Sequence, residues 1–371
     1  MDKNSRPSQI VLGLALFSMF FGSGNLIFPL FLGSMAQGDW YIALMGFLLT
    51  AVCLPVLGVM AMVMYEGQYR KFFDLLGRPW GFLLTFILLL VWIPLGSGPR
   101  CISLSFASLG TYLHVGSPWV YGALYSIATC LIVLRRGGML KILGSYLTPA
   151  LLICLTLVFV ASFSVDSSFS SGSDSLGLLS QSLVEGYNTM DLIASFFFSA
   201  SVIGILQKQG GNLSSNLKLT FQAGMIAAVV LAAVYAALLY SAAVHSAELV
   251  NIPKEQMLAQ LAKITLGQNL GIVAALAIFL ACFTTSVALV AVFTEFLTDS
   301  IFGSKKMYGV SLGITLVGSY FMSITGLEGI TAVTSPALQI CYPLLLLVII
   351  WGVIKKSWQY YSDKKLVTST D

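Results

Sequence analysis

Glycine and polar residues interrupt the first apolar segment of the chain near its middle. The segment reads SQIVLGLALFSMFFGSGNLIFPLFLG, and its centre is Phe21-Gly22-Ser23-Gly24-Asn25, followed by Pro29. Close helix packing explains one such glycine, but a pair around a serine, with Asn and Pro behind it, favours unwound backbone. Free N–H and C=O groups at bilayer depth must then meet protein, water or a ligand.

A break of this kind predicts a binding site. The amides that begin the second half-helix, with the positive end of its dipole, favour an anion such as a carboxylate. Carbonyls that end the first half-helix are free to coordinate a cation. We therefore predict that residues 21–25 bind a ligand; a kink that serves helix packing is the alternative.

The sixth apolar run is short for a span, from Met190 to Leu206, and serines and the Phe196–Phe198 cluster interrupt it. Interrupted runs at matching positions of two halves point to the site of an inverted-repeat transporter. Spans one and six occupy matching positions if the ten spans form two groups of five. The phenylalanines then form a pocket wall; lipid contact or core packing is the alternative.

The eighth run contains Ala281-Cys282-Phe283-Thr284-Thr285-Ser286. The Thr284 and Thr285 oxygens, with the carbonyl of Ala281 one turn earlier, would supply hard ligands to a monovalent cation. Hydroxyl groups in membrane helices also commonly bond back to their own helix, which is the other interpretation.

Arg100 is the only basic residue well inside a span, in WIPLGSGPRCISLSFASLG, where the preceding Pro94, Gly96, Gly98 and Pro99 predict another broken helix. An intramembrane Arg is costly and faces a polar interior or a partner, so we expect it to be buried and functional. A span that ends near Pro94 would instead place Arg100 at the interface. Catalysis has no support, because His114 and His245 lie near span ends, and Asp191 and Glu295 lie toward helix ends where we expect solvation.

These residues need elements that cross a membrane. The chain has 371 residues, of which 57% are hydrophobic and 9% charged, against about 25% charged in soluble domains. This composition excludes a soluble enzyme, a nucleic-acid-binding domain and a secreted disulfide scaffold. Continuous apolar runs predict helices rather than a barrel. We predict ten spans, at about 9–36, 40–64, 80–110, 118–134, 140–164, 189–206, 218–245, 269–297, 307–325 and 329–354.

The basic residues predict the orientation. Sixteen of the 19 Lys and Arg occupy the termini and one alternating set of loops, while the opposite set holds only Lys254 and Lys263. This bias places both termini in the cytoplasm, which agrees with an even number of spans. On the outside, we expect a solvated Ser-rich loop over 166–188. We also expect a short amphipathic helix that begins at Pro253. This helix either packs between two spans or forms an external lid.

Five motifs now suggest a family. FFGSGNLIFP in the first span, GPRC followed by SF in the third, YNTMD opening the sixth, ACFTT in the eighth and CYPL in the tenth resemble the bacterial branched-chain amino acid:cation symporter family. The resemblance implies an all-α polytopic membrane protein of ten transmembrane helices, built as a 5+5 inverted repeat with helices 1 and 6 broken. The implied parts are two five-helix repeats, 1–165 and 189–355, the loop 166–188 and a cytoplasmic tail, 356–371.

The resemblance also implies a site. Substrate would be held at the first-helix break by Phe21, Gly22, Ser23, Gly24 and Asn25, with Arg100, and its side chain at a sixth-helix break near Phe196, Phe197 and Ser199. The cation would lie between Ser18 and Phe21 of the first helix and Ala281, Thr284 and Thr285 of the eighth. Members usually have about twelve spans and an acidic residue where this chain has Ala107.

The implied function is symport of leucine, isoleucine or valine into the cell with Na⁺ or H⁺, across the bacterial plasma (inner) membrane. The partners are then a small neutral amino acid and the lipid bilayer, with no nucleic acid, no organic cofactor and no enzymatic reaction. The same fold carrying methionine or another neutral amino acid is one alternative, and a passive channel is the other.

Overall fold

The computed structural model describes residues 9–135, 152–163, 174–207 and 213–368, and the regular structure in these ranges is entirely helical. Turns of π-helix at Leu49–Cys53, Ile93–Ser97 and Leu297–Ile301 join or extend the α-helices. The α-helices are α1 Gln9–Phe20, α2 Ser23–Ala36, α3 Trp40–Leu48, α4 Leu54–Met64, α5 Tyr69–Phe73, α6 Arg78–Trp92, α7 Gly98–Gly110, α8 Pro118–Leu134, α9 Leu152–Phe163, α10 Ser175–Asn188, α11 Asp191–Gln207, α12 Leu213–Val244, α13 Ser246–Leu249, α14 Met257–Phe296, α15 Tyr308–Ile324 and α16 Gly326–Thr368.

The helices are long and apolar enough for a multi-pass membrane protein. In the described ranges, six segments meet the length and hydropathy of a membrane span, and α8 and α9 are shorter apolar helices. The six are Ser23–Met64, Arg78–Gly110, Ser215–Val244, Lys254–Ile301, Lys305–Ile324 and Gly326–Gln359. Large apolar side chains such as Phe321 and Trp351 are exposed on the outside, where lipid replaces water as solvent. The predicted fifth span, 140–164, lies partly outside the described residues.

Helix α12 supports both halves of the first span. It packs along α1, α2 and α4, and its buried face includes Ala227, Leu231 and Tyr235. At Gly33 of α2 the two backbones come so close that a methyl group would overlap the backbone of Leu239. Small residues permit this approach, which fixes α2 against a long neighbour.

The third span is distorted but continuous. Pro94, Gly96, Gly98 and Pro99 predict a broken helix, and the structure instead joins α6 to α7 through the π-helical turn Ile93–Ser97. A wide turn accommodates the prolines without ending the helix. The span therefore continues past Pro94 to Gly110, and α7 packs more extensively against α14 than against any other helix.

Helix α10 occupies Ser175–Asn188, so the prediction of a loop over 166–188 is wrong from residue 175 onward; residues 166–173 lie outside the described part of the chain. Asp174 caps α10 by accepting a hydrogen bond from the Leu176 amide at 3.2 Å. The inward face of α10 carries Leu178, Ser182 and Glu185, all buried. Small polar side chains pack against α3 there, and their low hydropathy made the segment look like solvated loop.

The external connection after α12 contains the predicted amphipathic helix. Pro253 precedes a turn of 3-10 helix, Lys254–Gln256, and α14 begins at Met257. A kink at Gly267, with φ of 75°, separates this first part from the rest of α14. Met257, Leu258 and Leu261 are buried, as the amphipathic pattern predicts, whereas Ile264, which the pattern places on the same face, is exposed. We name Lys254–Leu266 the cap segment.

We predict that Gly33→Ala lowers the thermal stability of the purified protein in detergent. The added methyl group must push α2 away from Leu239, and overpacking of this kind costs about 1–3 kcal/mol. Gly313→Ala is the matched control, since Gly313 is exposed on α15 with open space around it. Equal melting temperatures for the two variants would contradict the proposed close approach.

Candidate functional site

The first span is interrupted at the position that the sequence indicates. Helix α1 ends at Phe20 and α2 begins at Ser23, with Phe21 and Gly22 outside both. Gly22 is extended, with φ of −114° and ψ of −170°, and has no side chain to cap the helix that follows. The first amides of α2 therefore lack a partner within their own helix and carry the positive end of its dipole.

A second interruption lies between α10 and α11. Thr189 and Met190 separate the helices, and Met190 has a positive φ of 65° although it is not glycine. Such a conformation is strained for a long side chain and is retained only where the surroundings hold it. The Thr189 hydroxyl donates to the carbonyl of Gly186 at 2.8 Å and accepts from the Asp191 amide at 3.4 Å.

The predicted position of this second break is therefore wrong. Helix α11 is continuous from Asp191 to Gln207 and includes Phe196, Phe197 and Ser199. Phe196 packs between the rings of Phe72 and Phe73, with centroids 5.4 and 5.3 Å away. Phe197 stacks on Trp92 at 5.7 Å, and the Ser199 hydroxyl donates to the carbonyl of Phe196 within its own helix. These three residues lie in an aromatic core rather than at the break.

Arg100 joins the two interruptions. Its side chain is fully buried, as predicted, and its Nη1 donates to the carbonyl of Asn188 at 2.6 Å. A Cβ built at Gly24 would lie 3.0 Å from Nη1 and 3.1 Å from Thr189 Cα, so both breaks approach the same guanidinium. The Phe28 ring lies 5.0 Å from Arg100 Cζ and adds a cation–π contact.

Asn25 connects the first break to an acidic residue that the sequence interpretation missed. Its Nδ2 donates to the carbonyl of Phe20, which ends α1, and to Asp191 Oδ1 at 3.4 Å. Asp191 is only 4% exposed, so the expectation of a solvated helix end is wrong. The YNTMD motif was the available signal, because it places Asn188 and Asp191 on either side of the break.

Five polar atoms at this junction have no hydrogen-bond partner among the described residues. They are Arg100 Nε and Nη2, Asn25 Oδ1, Asn188 Oδ1 and Asp191 Oδ2. A buried polar group without a partner costs roughly 1–3 kcal/mol, and more when it is charged. The described ion pairs do not include Arg100. The unpaired donors and acceptors therefore belong to residues at or in contact with the two breaks, and together they are complementary to a ligand that carries both charges.

The residues predicted to hold a cation are not assembled into a closed shell. Ser18 is exposed, and Phe21, Ala281, Thr284 and Thr285 are half-buried. The Thr284 hydroxyl donates to the carbonyls of Leu280 and Ala281 in its own helix, at 3.1 and 3.0 Å. Helix α1 packs mainly against α12 and α11, whereas α14 packs mainly against α7.

An adjacent face of α14 is linked to the first-helix break through Cys101. Cys282 and Ser286 are buried there, and the thiol of Cys101 lies beside Cys282, Ser286 and Ser23. The Tyr125 hydroxyl bonds to Ser286 Oγ at 3.1 Å. The sequence interpretation did not single out this face, because Cys and Ser among apolar neighbours are ordinary helix-packing residues.

A partly buried ion pair ties the cap segment to the site. Lys254 Nζ lies 3.1 Å from Glu185 Oε1 and 3.4 Å from the centroid of the Phe31 ring. Asn188 Nδ2 donates to Glu185 Oε2 at 2.9 Å. Since the Asn188 carbonyl accepts from Arg100, one unbroken set of polar contacts runs from the cap segment to the junction.

Known proteins with similar sequences include amino acid carriers. A protein of Staphylococcus epidermidis that is provisionally named a branched-chain amino acid carrier is 28% identical to this chain over 388 residues. The alignment covers 96% of this chain and 83% of the relative. A carrier of Staphylococcus aureus with the same provisional name is 28% identical over 377 residues, with the same coverage. These relatives are similar over nearly the whole chain.

Among solved structures, the chain is similar to Mhp1, a nucleobase-cation-symport-1 family transporter in a closed conformation with bromovinylhydantoin bound. The TM-score is 0.59 at 14% identity, over 94% of this chain and 80% of Mhp1, so the fold is shared. The family model described as branched-chain amino acid transport protein matches residues 5–369 and confirms the resemblance suggested by the motifs. The chain belongs to the branched-chain amino acid transport protein family, which is a family of transporters and not of enzymes.

Proposed function

We propose that this protein is a symporter that carries leucine, isoleucine or valine into the cell together with Na⁺ or H⁺. The observation that carries the proposal is the junction of two broken helices at Arg100, where unpaired donors and acceptors are buried together. Its surroundings are apolar, with Phe20 and Phe28 buried on either side of the first break. A zwitterion with a branched apolar side chain fits both properties.

The carboxylate of the amino acid is placed at the donors. Arg100 Nε and Nη2 form one edge of the guanidinium, and two parallel N–H groups on that edge match the two oxygens of a carboxylate. The first amides of α2, at Ser23 and Gly24, add the positive end of a helix dipole. Residues Phe21 to Asn25 would therefore hold the backbone of the substrate, as the sequence suggests.

The coupling cation is a second substrate, and the predicted oxygen donors suit it chemically. Carbonyl oxygens of Ser18, Phe21 and Ala281 and hydroxyls of Thr284 and Thr285 are hard, neutral ligands of the kind a monovalent ion accepts. Ser18 is exposed and the Thr284 hydroxyl bonds within its own helix. We therefore propose that these ligands are still apart in this conformation and that the cation site is open. Binding of the cation would draw α1 toward α14 and order the first-helix break.

Coupling then follows from differential stabilisation of two conformations. A cation and an amino acid that both bind best to one arrangement of the first-helix break increase each other's affinity. The cap segment, held to Glu185 by Lys254, would close the external side. We retain both termini in the cytoplasm of a bacterial plasma membrane, and two five-helix repeats, each with a broken first helix. The first repeat remains 1–165, but the second begins with α10 at Ser175 rather than at residue 189, because its break lies between α10 and α11.

The proposal is tested by leucine uptake into proteoliposomes that contain the purified protein. We expect uptake to rise when an inward Na⁺ gradient or an inward proton gradient is imposed, and to be competed by isoleucine and valine. Uptake that ignores both gradients would contradict symport. Stronger competition by methionine than by valine would contradict the assigned substrate, and ionic current without substrate would indicate a channel.

We predict that Gly24→Val abolishes leucine uptake while the protein still inserts and folds. The branched side chain would collide with Arg100 Nη1 and Thr189 Cα, which lie 3.0 and 3.1 Å from even a single added carbon. Gly313→Val is the control, because this position is open and exposed on α15. Normal uptake by Gly24→Val, at equal protein in the vesicles, would refute the placement of the site.

We predict that Thr285→Ala weakens the dependence on cation more than the affinity for leucine at saturating cation. The change removes one proposed oxygen ligand and leaves the junction at Arg100 intact. The cation concentration at half-maximal uptake should rise by about tenfold, the effect of losing roughly one ligand bond. Thr156→Ala, on the exposed face of α9, is the control. An unchanged cation response would remove Thr285 from the site.

We predict that Lys254→Ala opens the external side of the site. Removing the lysine leaves the buried Glu185 carboxylate without its cationic partner. This loss strongly destabilises the closed position of the cap segment. Labelling of Cys101 by a membrane-impermeant thiol reagent added outside should accelerate by an order of magnitude or more. Lys263→Ala alters an exposed lysine of the same segment and should leave the labelling rate unchanged. Equal rates for the two variants would argue against a lid.

A further inference from the structure

We propose that Asp191 binds the α-ammonium group of the substrate and so restricts transport to amino acids, excluding 2-oxo and 2-hydroxy acids of the same shape. This inference rests on the proposed function, since it assigns one more group at the same site. The inference depends on the structure, because from the sequence alone we expect Asp191 at a solvated helix end.

The position of Asp191 suits a ligand for a cationic group. It is the first residue of α11, where the positive end of the helix dipole stabilises a carboxylate in its charged form. Its Oδ1 accepts from Asn25 Nδ2 at 3.4 Å, which holds the carboxylate against the first-helix break. Its Oδ2 is buried and has no partner among the described residues, so one oxygen is available for a bond to substrate.

Two more acceptors accompany this oxygen. Asn25 Oδ1 and Asn188 Oδ1 are also buried without partners, and both belong to residues at the two breaks. An ammonium group has three donors and no acceptor, so three acceptors of this kind are its natural complement. Sodium would also accept oxygen ligands, but a site beside the unpaired edge of Arg100 favours a ligand that also carries a negative charge.

The charges at the junction explain why the ligand must be dipolar. Arg100 and Asp191 are both buried, and no ion pair within 4.0 Å joins them in the described structure. Two separated opposite charges in a low dielectric are each poorly compensated. An α-amino acid between them would bring its carboxylate to Arg100 and its ammonium to Asp191, and compensate both.

Glu185 is the other buried acid nearby, and its contacts exclude it from this role. Both of its carboxylate oxygens have partners, Lys254 Nζ on Oε1 and Asn188 Nδ2 on Oε2. Asp191 retains an unpaired oxygen, whereas Glu185 serves the cap segment. The two acids, six residues apart in the chain, therefore have separate tasks.

The test compares equilibrium binding of leucine and 2-hydroxy-4-methylpentanoate, which carries a neutral hydroxyl in place of the ammonium group, to the purified full-length protein. In wild type, leucine should bind more tightly. Asp191→Asn should weaken leucine by about tenfold to a hundredfold, the effect of one charge-assisted hydrogen bond, and leave the hydroxy acid within about threefold. Asp74→Asn removes an exposed carboxylate and is the control, with no effect on either ligand.

Other results would overturn the inference. Equal weakening of both ligands would indicate a structural role for Asp191, and an altered Na⁺ or pH dependence with an unchanged leucine preference would indicate a coupling role. If Asp191→Asn does not fold, Asp191→Glu provides the test. This variant keeps the carboxylate and should retain the preference for leucine, and loss of that preference would refute the assignment. Absence of leucine binding in wild type would instead contradict the proposed function itself.

Discussion

The structure depends on one constraint, which is that polar groups at the depth of the hydrocarbon must find partners inside the protein or in a ligand. Two helices stop and restart in the middle of the bundle, and both interruptions meet the buried guanidinium of Arg100. The backbone of the sixth-helix break is held by its own contacts, through Thr189 and the Asn188 carbonyl. The side-chain atoms that have no partner among the described residues are the ones that the proposed substrate site would use.

The helices around this junction explain how a local polar site can be linked to larger movements. Helix α12 supports both halves of the first span, while α14 packs against α7, which carries Arg100. The first span therefore makes most of its contacts with α12 and α14 makes most of its contacts with α7, while α2 also touches both α7 and α14. On the outside, Lys254, Glu185 and Asn188 continue the polar contacts from Arg100 to the cap segment. Changes at the junction can reach the cap segment through three side chains.

The sequence was informative where a residue type is unusual for its surroundings. Glycines with Ser, Asn and Pro in an apolar run located the first break, and a lone intramembrane Arg indicated a buried charge. It failed at the sixth helix, because α10 buries small polar residues against α3 and has no hydropathy signal. The serines beside the phenylalanines led us to predict the break near Phe196, whereas the observed break depends on a positive φ at Met190. The contact between Asn25 and Asp191 joins residues 166 positions apart, which no local pattern reveals.

The central claim is that buried donors and acceptors at the junction hold a zwitterion by both of its charges. It is tested most directly by equilibrium binding of leucine, 4-methylpentanoate and 3-methylbutylamine to the wild-type protein, since the last two each lack one charged group. The account predicts that both analogues bind at least about tenfold more weakly than leucine, because each leaves one side of the junction unpaired. Binding of either analogue as tightly as leucine would contradict it.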